Sequence, residues 1–163
     1  MTPIVQTQLA KEFFLILKET FEGPEPIGPS AFIEKGTGLF QTLENICAET
    51  ASTQTRANGS TIAAHTEHTR FYLDVHYKLL LGVRDKIDWE KSWQIKAVTA
   101  DQWNHLRQDL RRAYETVREH LRGVNNWGED EISIALAIIA HTAYHLGAIR
   151  QLAVHPSVES TAY

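Results

Sequence analysis

The run "HTAYHLGAIRQ", residues 141–151, sets His141 and His145 four residues apart in a stretch that is otherwise almost wholly apolar. On an α-helix, residues i and i+4 lie one above the other on the same face. Two imidazoles so placed are either hydrogen-bonded core histidines or half of a metal site. Their position favours the second reading. At 100° per residue Ile134, Ile138, His141, His145, Ala148 and Leu152 share one side of the helix, so both rings should face inward. A buried neutral imidazole costs desolvation free energy unless both ring nitrogens find partners. A metal ion supplies a partner to one nitrogen of each ring and leaves the other to donate to a neighbouring acceptor.

A second pair of histidines lies in "TIAAHTEHTRFYLD". Projected as a helix, Glu67, Arg70, Asp74 and Lys78 gather on one side, and His65, His68, Tyr72, Val75 and Leu79 lie opposite. One ring of this stripe, added to His141 and His145, gives three neutral nitrogens. Such a set suits zinc, nickel or a related divalent ion and leaves a fourth position for water or substrate. Helix bundles build metal sites in this manner, from facing helices. The projection leaves open which ring of the stripe takes part, because His65 sits slightly closer to its centre than His68. His76 lies at the edge of the stripe, and His105, His120 and His155 have no helical partner histidine and read as structural or solvated. The chain contains no Glu-x-x-His, which excludes the di-iron carboxylate pattern, and no His-Glu-x-x-His, which excludes a zincin protease.

The elements that must position these rings are helical throughout. A first helix is expected over 3–22, capped by Thr2, opened by Pro3 and stopped at Gly23-Pro24, with Val5, Leu9, Phe13 and Ile16 at helical spacing. "GPEPIGPS" must be a loop. A shorter helix follows over 39–51, carrying Leu39, Leu43 and Ile46, and then the polar loop "STQTRANG". A long helix over 60–82 bears His65 and His68. Residues 82–98 show no sustained period, and their indoles Trp89 and Trp93 read as a cover over the open end of the core, although connections of this length are often functional. Thr99 and Gln102 form a capping box for a helix over 100–122. Glu129, Asp130 and Glu131 suit the N-terminus of the last helix, over 129–153. That helix, uncharged from Ile132 to Ile149, should be the most buried of all. No strand pattern occurs, and the expected architecture is all-α, a four-helix bundle with one additional short helix in a single domain over 1–163.

Composition narrows the partners. The 163 residues are 43% hydrophobic and 22% charged, which is ordinary for a soluble globular protein. A formal net charge of -4 argues against a nucleic-acid surface. The one cysteine, Cys47, permits no disulfide within the chain and fits a reducing compartment. The segment "MTPIVQTQLAKEFF" lacks the pattern of a signal peptide, and the uncharged stretch near the C-terminus reads as a core helix and not a membrane span. The expectation is a cytoplasmic protein with no membrane partner.

"TIAAHTEHTRFYLD", followed some seventy residues later by "AHTAYHLGAIRQ", resembles the DinB-like (YfiT-like) superfamily of metalloproteins, and the resemblance runs from the first helix to about Leu152. It implies a four-helix bundle with an unusual order of helix directions, and a metal ion held by one histidine of the second long helix and two of the fourth. Carried over position by position, the ligands fall on His68, His141 and His145, with His65 as a supporting or substitute ligand. The resemblance also implies a homodimer. Many members carry Gln after the glycine of the last motif, whereas this chain has Gly147-Ala148, so no contact of that glutamine carries over. Characterised relatives include transferases that use low-molecular-weight thiols such as bacillithiol or mycothiol, and a mycothiol-dependent isomerase.

Two functions follow as expectations. In the first, a metal-dependent S-transferase or related hydrolase, the ion binds a thiol or water and lowers its pKa, with Tyr72 or His65 handling protons. In the second, the protein is a non-catalytic metal-binding stress-response bundle. Either requires the Nε2 atoms of His68, His141 and His145 to meet within about 3.5 Å of one another, as metal–nitrogen bonds of about 2.0–2.1 Å demand.

Overall fold

The computed structural model describes residues 6–55 and 59–154. Its elements are α1 (Gln6–Glu22), α2 (Leu39–Glu44), α3 (Ala48–Ser52), α4 (Ile62–Leu80), a 3-10 turn (Trp89–Trp93), α5 (Ala100–Gly123) and α6 (Glu129–Ala153). Every regular element among the described residues is helical. The proposed cap of α1 at Thr2 and Pro3, the apolar Val5 and the lone His155 lie outside the described residues.

The four long helices begin and end where the local chemistry dictates. Thr61 caps α4 by accepting the Ala64 N–H at 3.1 Å. At the start of α5 the Thr99 hydroxyl accepts from the Gln102 N–H, and the Gln102 side chain accepts from the Thr99 N–H at 2.9 Å, a reciprocal pair that satisfies two otherwise orphaned donors. Glu131 accepts the Gly128 N–H at 2.7 Å in the acidic first turn of α6. Gly23 stops α1 at φ +89, a region that disfavours any side chain. A Cβ on Gly38 would fall 2.2 Å from the Gly23 nitrogen, so α1 and α2 meet through two glycines.

The core is continuous. Phe13, Leu17 and Phe21 of α1, Leu39 and Leu43 of α2, Leu110, Val117 and Leu121 of α5, and Ile138 and Ile149 of α6 are all buried in it. Between α1 and α2, the buried Glu19 carboxylate accepts the backbone N–H groups of Ala31, Phe32 and Ile33 at 2.7–3.0 Å. Those three bonds hold its pKa below the usual carboxylate value even though burial pushes the other way. The proline-rich loop is therefore tied to the core at its far end.

Two expectations need correction. The single short helix over 39–51 is two, α2 and α3, separated at residues 45–47. The indole N–H of Trp103 donates to the Ile46 carbonyl at 2.7 Å, and the Asn45 amide donates to the Gln41 carbonyl at 3.0 Å. Both bonds take carbonyls that a continuous helix would use itself. The second correction concerns burial. α4 has nine buried residues of nineteen, α6 seven of twenty-five. α4 packs against both α5 and α6 and is further covered by α3 and the 3-10 turn, whereas α6 packs on α4 and α1. By length and composition α6 could also cross a membrane, with 39% of its apolar window buried. Its outward face carries Leu136 and Tyr144, 56% and 71% exposed.

Candidate metal centre

α4 and α6 present their histidines to one another; α4 satisfies its other inward polar groups locally, whereas on α6 the buried Thr142 hydroxyl has no hydrogen-bond partner among the described residues. On α4, the hydroxyls of Thr66 and Thr69 donate to the carbonyls of Ile62 and His65 one turn back. On the opposite side Arg70 is held by Glu67 at 2.7 Å and by Asp74, so the charged face closes on itself. What remains between the helices is imidazole. His141 Nε2 lies 3.0 Å from His68 Nε2 and 3.2 Å from His145 Nε2, and one ligand nitrogen from each of the three rings lies within 4.8 Å of the others. Three nitrogens bound to one ion at 2.0–2.1 Å in tetrahedral geometry would sit about 3.3 Å apart.

The remaining ring nitrogens have very different surroundings. His68 Nδ1 is 2.6 Å from the hydroxyl of Ser92, which is fully buried. His145 Nδ1 is 2.8 Å from His65 Nδ1. His141 Nδ1 is buried with no hydrogen-bond partner. Neither His141 nor His145 bonds to a backbone carbonyl, as a core histidine without a metal would be expected to do. Aromatic rings wall the cluster. Trp93 stacks on His68 at 4.1 Å between centroids, Tyr72 stacks on His141 at 3.5 Å and 8°, and Tyr144 meets His145 edge-on at 4.9 Å. His76 lies on the other face of Tyr72 at 3.8 Å and donates from Nδ1 to the Tyr72 carbonyl.

Burial makes these imidazoles good ligands. Desolvation, reinforced by the neighbouring rings of His68 and His76, lowers the pKa of His141 to about 3. Desolvation, with His141, His65 and His68 adding to it, lowers that of His145 to about 3. His68 and His65 are shifted down by desolvation too. Neutral imidazole is the form that ligates, so near pH 7 no proton needs to be displaced from a charged ring. A set of three neutral nitrogens close together, two of the rings buried and the third half-buried, without a carboxylate among them, fits a divalent transition metal ion. The residues present can hold one.

Each residue singled out from the sequence can now be placed. His68, His141 and His145 come together. His65 stands behind His145, on its far nitrogen, and is not one of the three. Tyr72 lies with its ring flat on His141. His105 is exposed, and His120 meets Tyr77 edge-on away from the cluster. Trp89 and Trp93 do not cover an open end of the core; the turn they bound lies against α4 and grips His68. Ser92 went unrecognised, and the only sequence signal was its place between two indoles in a connection too long to be a simple linker. Comparison of the chain with known protein families, with curated proteins and with solved structures finds no match.

Proposed function

We propose that the chain is a DinB-like metalloprotein: a single-domain four-helix bundle of α1, α4, α5 and α6 whose His68, His141 and His145 hold a zinc or nickel ion, and which acts as a low-molecular-weight-thiol-dependent S-transferase or related hydrolase. The observation that carries this reading is the gathering of three imidazoles from two helices, with His141 Nε2 at 3.0 and 3.2 Å from the Nε2 atoms of His68 and His145 and one nitrogen of each ring within 4.8 Å of the others. A bound divalent ion would supply Lewis acidity, lowering the pKa of a thiol or water in its remaining position. Three protein ligands with a further position free are characteristic of catalytic sites, and four of structural ones.

The chain's own groups have assignable parts. His65 accepts from His145 Nδ1 when that nitrogen carries the proton, and its own proton then sits on Nε2. Burial raises the pKa of Tyr72, so near neutral pH its hydroxyl is a proton donor and not a base. The ring stack of Tyr72 on His141 orients that ligand. The net charge of -4 speaks against nucleic acid, and a small-molecule substrate is part of this reading. A homodimer in the cytoplasm belongs to the same reading, and the uncharged outward face of α6, with Leu136, Ala140 and Tyr144, is suited to a second copy.

One observation favours the second reading, a metal-holding bundle without turnover. Trp93, Tyr72 and Tyr144 all lie against the ligand rings, so the approach to the ion is narrowed by aromatics. A thiol panel separates the two. Metal-loaded and metal-free protein are each incubated with bacillithiol, mycothiol, glutathione or coenzyme A and a model electrophile. The expected result is one ion bound per chain and thiol consumption by the loaded protein alone. One ion per chain with no turnover of any thiol or hydrolysable ester would establish the non-catalytic reading.

A further inference from the structure

We propose that Ser92 is a positioning residue for the metal centre: its hydroxyl fixes the proton of His68 on Nδ1 and so aims the Nε2 lone pair at the ion. The inference rests on the metal-centre reading for its purpose but not for its geometry. Ser92 Oγ lies 2.6 Å from the Trp89 carbonyl and 2.6 Å from His68 Nδ1, and the residue is fully buried. A hydroxyl has one proton and two lone pairs, and a carbonyl can only accept. The hydroxyl proton must therefore go to the Trp89 oxygen, since otherwise two oxygen lone pairs would face each other at 2.6 Å in a fully buried position. Only lone pairs remain on Oγ for His68, so Nδ1 carries the N–H. A neutral imidazole has one such proton, which leaves Nε2 bare, and Nε2 is the atom 3.0 Å from His141.

The other two ligands lack this control. His145 Nδ1 faces a second imidazole, and either ring can hold the shared proton. His141 Nδ1 has no partner at all. Ser92 is thus the one group among the described residues that dictates a ligand's tautomer. The same turn supplies the restraint on rotation, because Trp93 lies against the His68 ring at 4.1 Å and 21°. A 180° flip of that ring would exchange its nitrogens with its carbons and break the Ser92 bond. The turn is closed on itself through the Ser92 bond to Trp89 three residues back, so the hydroxyl is held in place before any metal arrives.

The test uses ring nitrogen chemical shifts of histidine in 15N-labelled protein, first without metal, and then the zinc affinity by competition with a chromophoric chelator. In the wild type His68 should be protonated at Nδ1. Ser92→Ala should move it toward the Nε2–H form that free histidine side chains prefer and should weaken zinc binding roughly 10–100-fold, the usual cost of losing an outer partner of a ligand. Ser92→Thr, which keeps the hydroxyl, should restore both. Matched circular dichroism excludes unfolding as the cause. His68 protonated at Nε2 in the metal-free wild type would overturn the proposal without recourse to any variant, as would Ser92→Ala with unchanged tautomer or unchanged affinity. A wild type that keeps the Nδ1–H tautomer yet binds no zinc would refute the metal reading, and with it the purpose assigned to Ser92, while the hydrogen-bond assignment would stand.

Discussion

His141→Ala is expected to lose zinc or nickel binding by considerably more than the 10–100-fold attached to an outer partner, because it leaves two protein nitrogens where three are needed. Helical content should be unchanged. Alanine is the best helix former, His141 is only half-buried, and the inward stripe of α6 keeps Ile134, Ile138, Leu146 and Ile149. The variant removes a stack on Tyr72 and an unpartnered buried nitrogen at once, two effects of opposite sign on stability. Turnover, metal content and circular dichroism measured side by side on wild type and variant give the answer. Thiol transfer should disappear with the metal in His141→Ala, and in metal-stripped wild type it should return when zinc or nickel is restored. Full activity in a variant that has lost its metal would reject the mechanism.

Acid should unfold the metal-free protein well above the range in which carboxylates alone would do so. His141 and His145 have folded-state pKa values near 3, against 6.5 for the free side chain. The unfolded chain therefore binds more protons than the folded one at every pH between those limits. Stability is complete above pH 6.5, falls as the pH drops below it, and has lost the whole of this contribution by pH 3. Each such histidine costs about 1.4 kcal/mol per pH unit through this window. The two together, partly screened by solvent, remove on the order of a few kcal/mol over two units, a large part of the total stability of many domains. The downward shifts of His65, His68 and His76 act in the same direction. A far-ultraviolet pH titration should show a midpoint at about pH 4–5, moved to lower pH in His141→Ala because one of the groups that must be charged is gone. Bound metal should be released over the same range, since protons compete for the ligands. A midpoint below pH 3 in the metal-free wild type would contradict the account.

Much of the fold was legible because helices declare themselves at their ends and along one face. The capping box at Thr99, the acidic first turn of α6 and the apolar spacing of Phe13, Leu17 and Phe21 are local signals, and the long helices lie where these place them. What depended on distant contacts was not legible. The break between α2 and α3 requires an indole 57 residues away to take the Ile46 carbonyl. Composition showed that α6 tolerates burial on most sides but not how many neighbours it has, and two of its large apolar side chains face outward. The site was half legible. Spacing brought His141 and His145 onto one stripe, yet a helical projection resolves faces and not ring nitrogens, so the choice between His65 and His68 stayed open on spacing alone. The structure separates them through the turn of Trp89–Trp93. The chain reaches that turn by reversing at Gly82 (φ +79) and running back along α4, a path that no periodicity in residues 82–98 could announce.

The stack of Trp93 on His68 would also make a metal bound at the proposed site visible to light. An indole in van der Waals contact with a ligand ring can pass its excitation to an ion with partly filled d orbitals, as nickel, cobalt or copper has. Zinc has a filled d shell and no redox chemistry to accept it. Trp103 is bonded to the Ile46 carbonyl and Trp127 is packed against Phe13, while only Trp93 and its neighbour Trp89 approach His68. Nickel should therefore quench a substantial part of the tryptophan emission and zinc should leave its intensity largely intact. Displacing one ion by the other would then be followed continuously by fluorescence, without any added chromophore, and Trp93→Phe would abolish most of the signal. The residue that steadies a ligand would in that way report which metal the ligand holds.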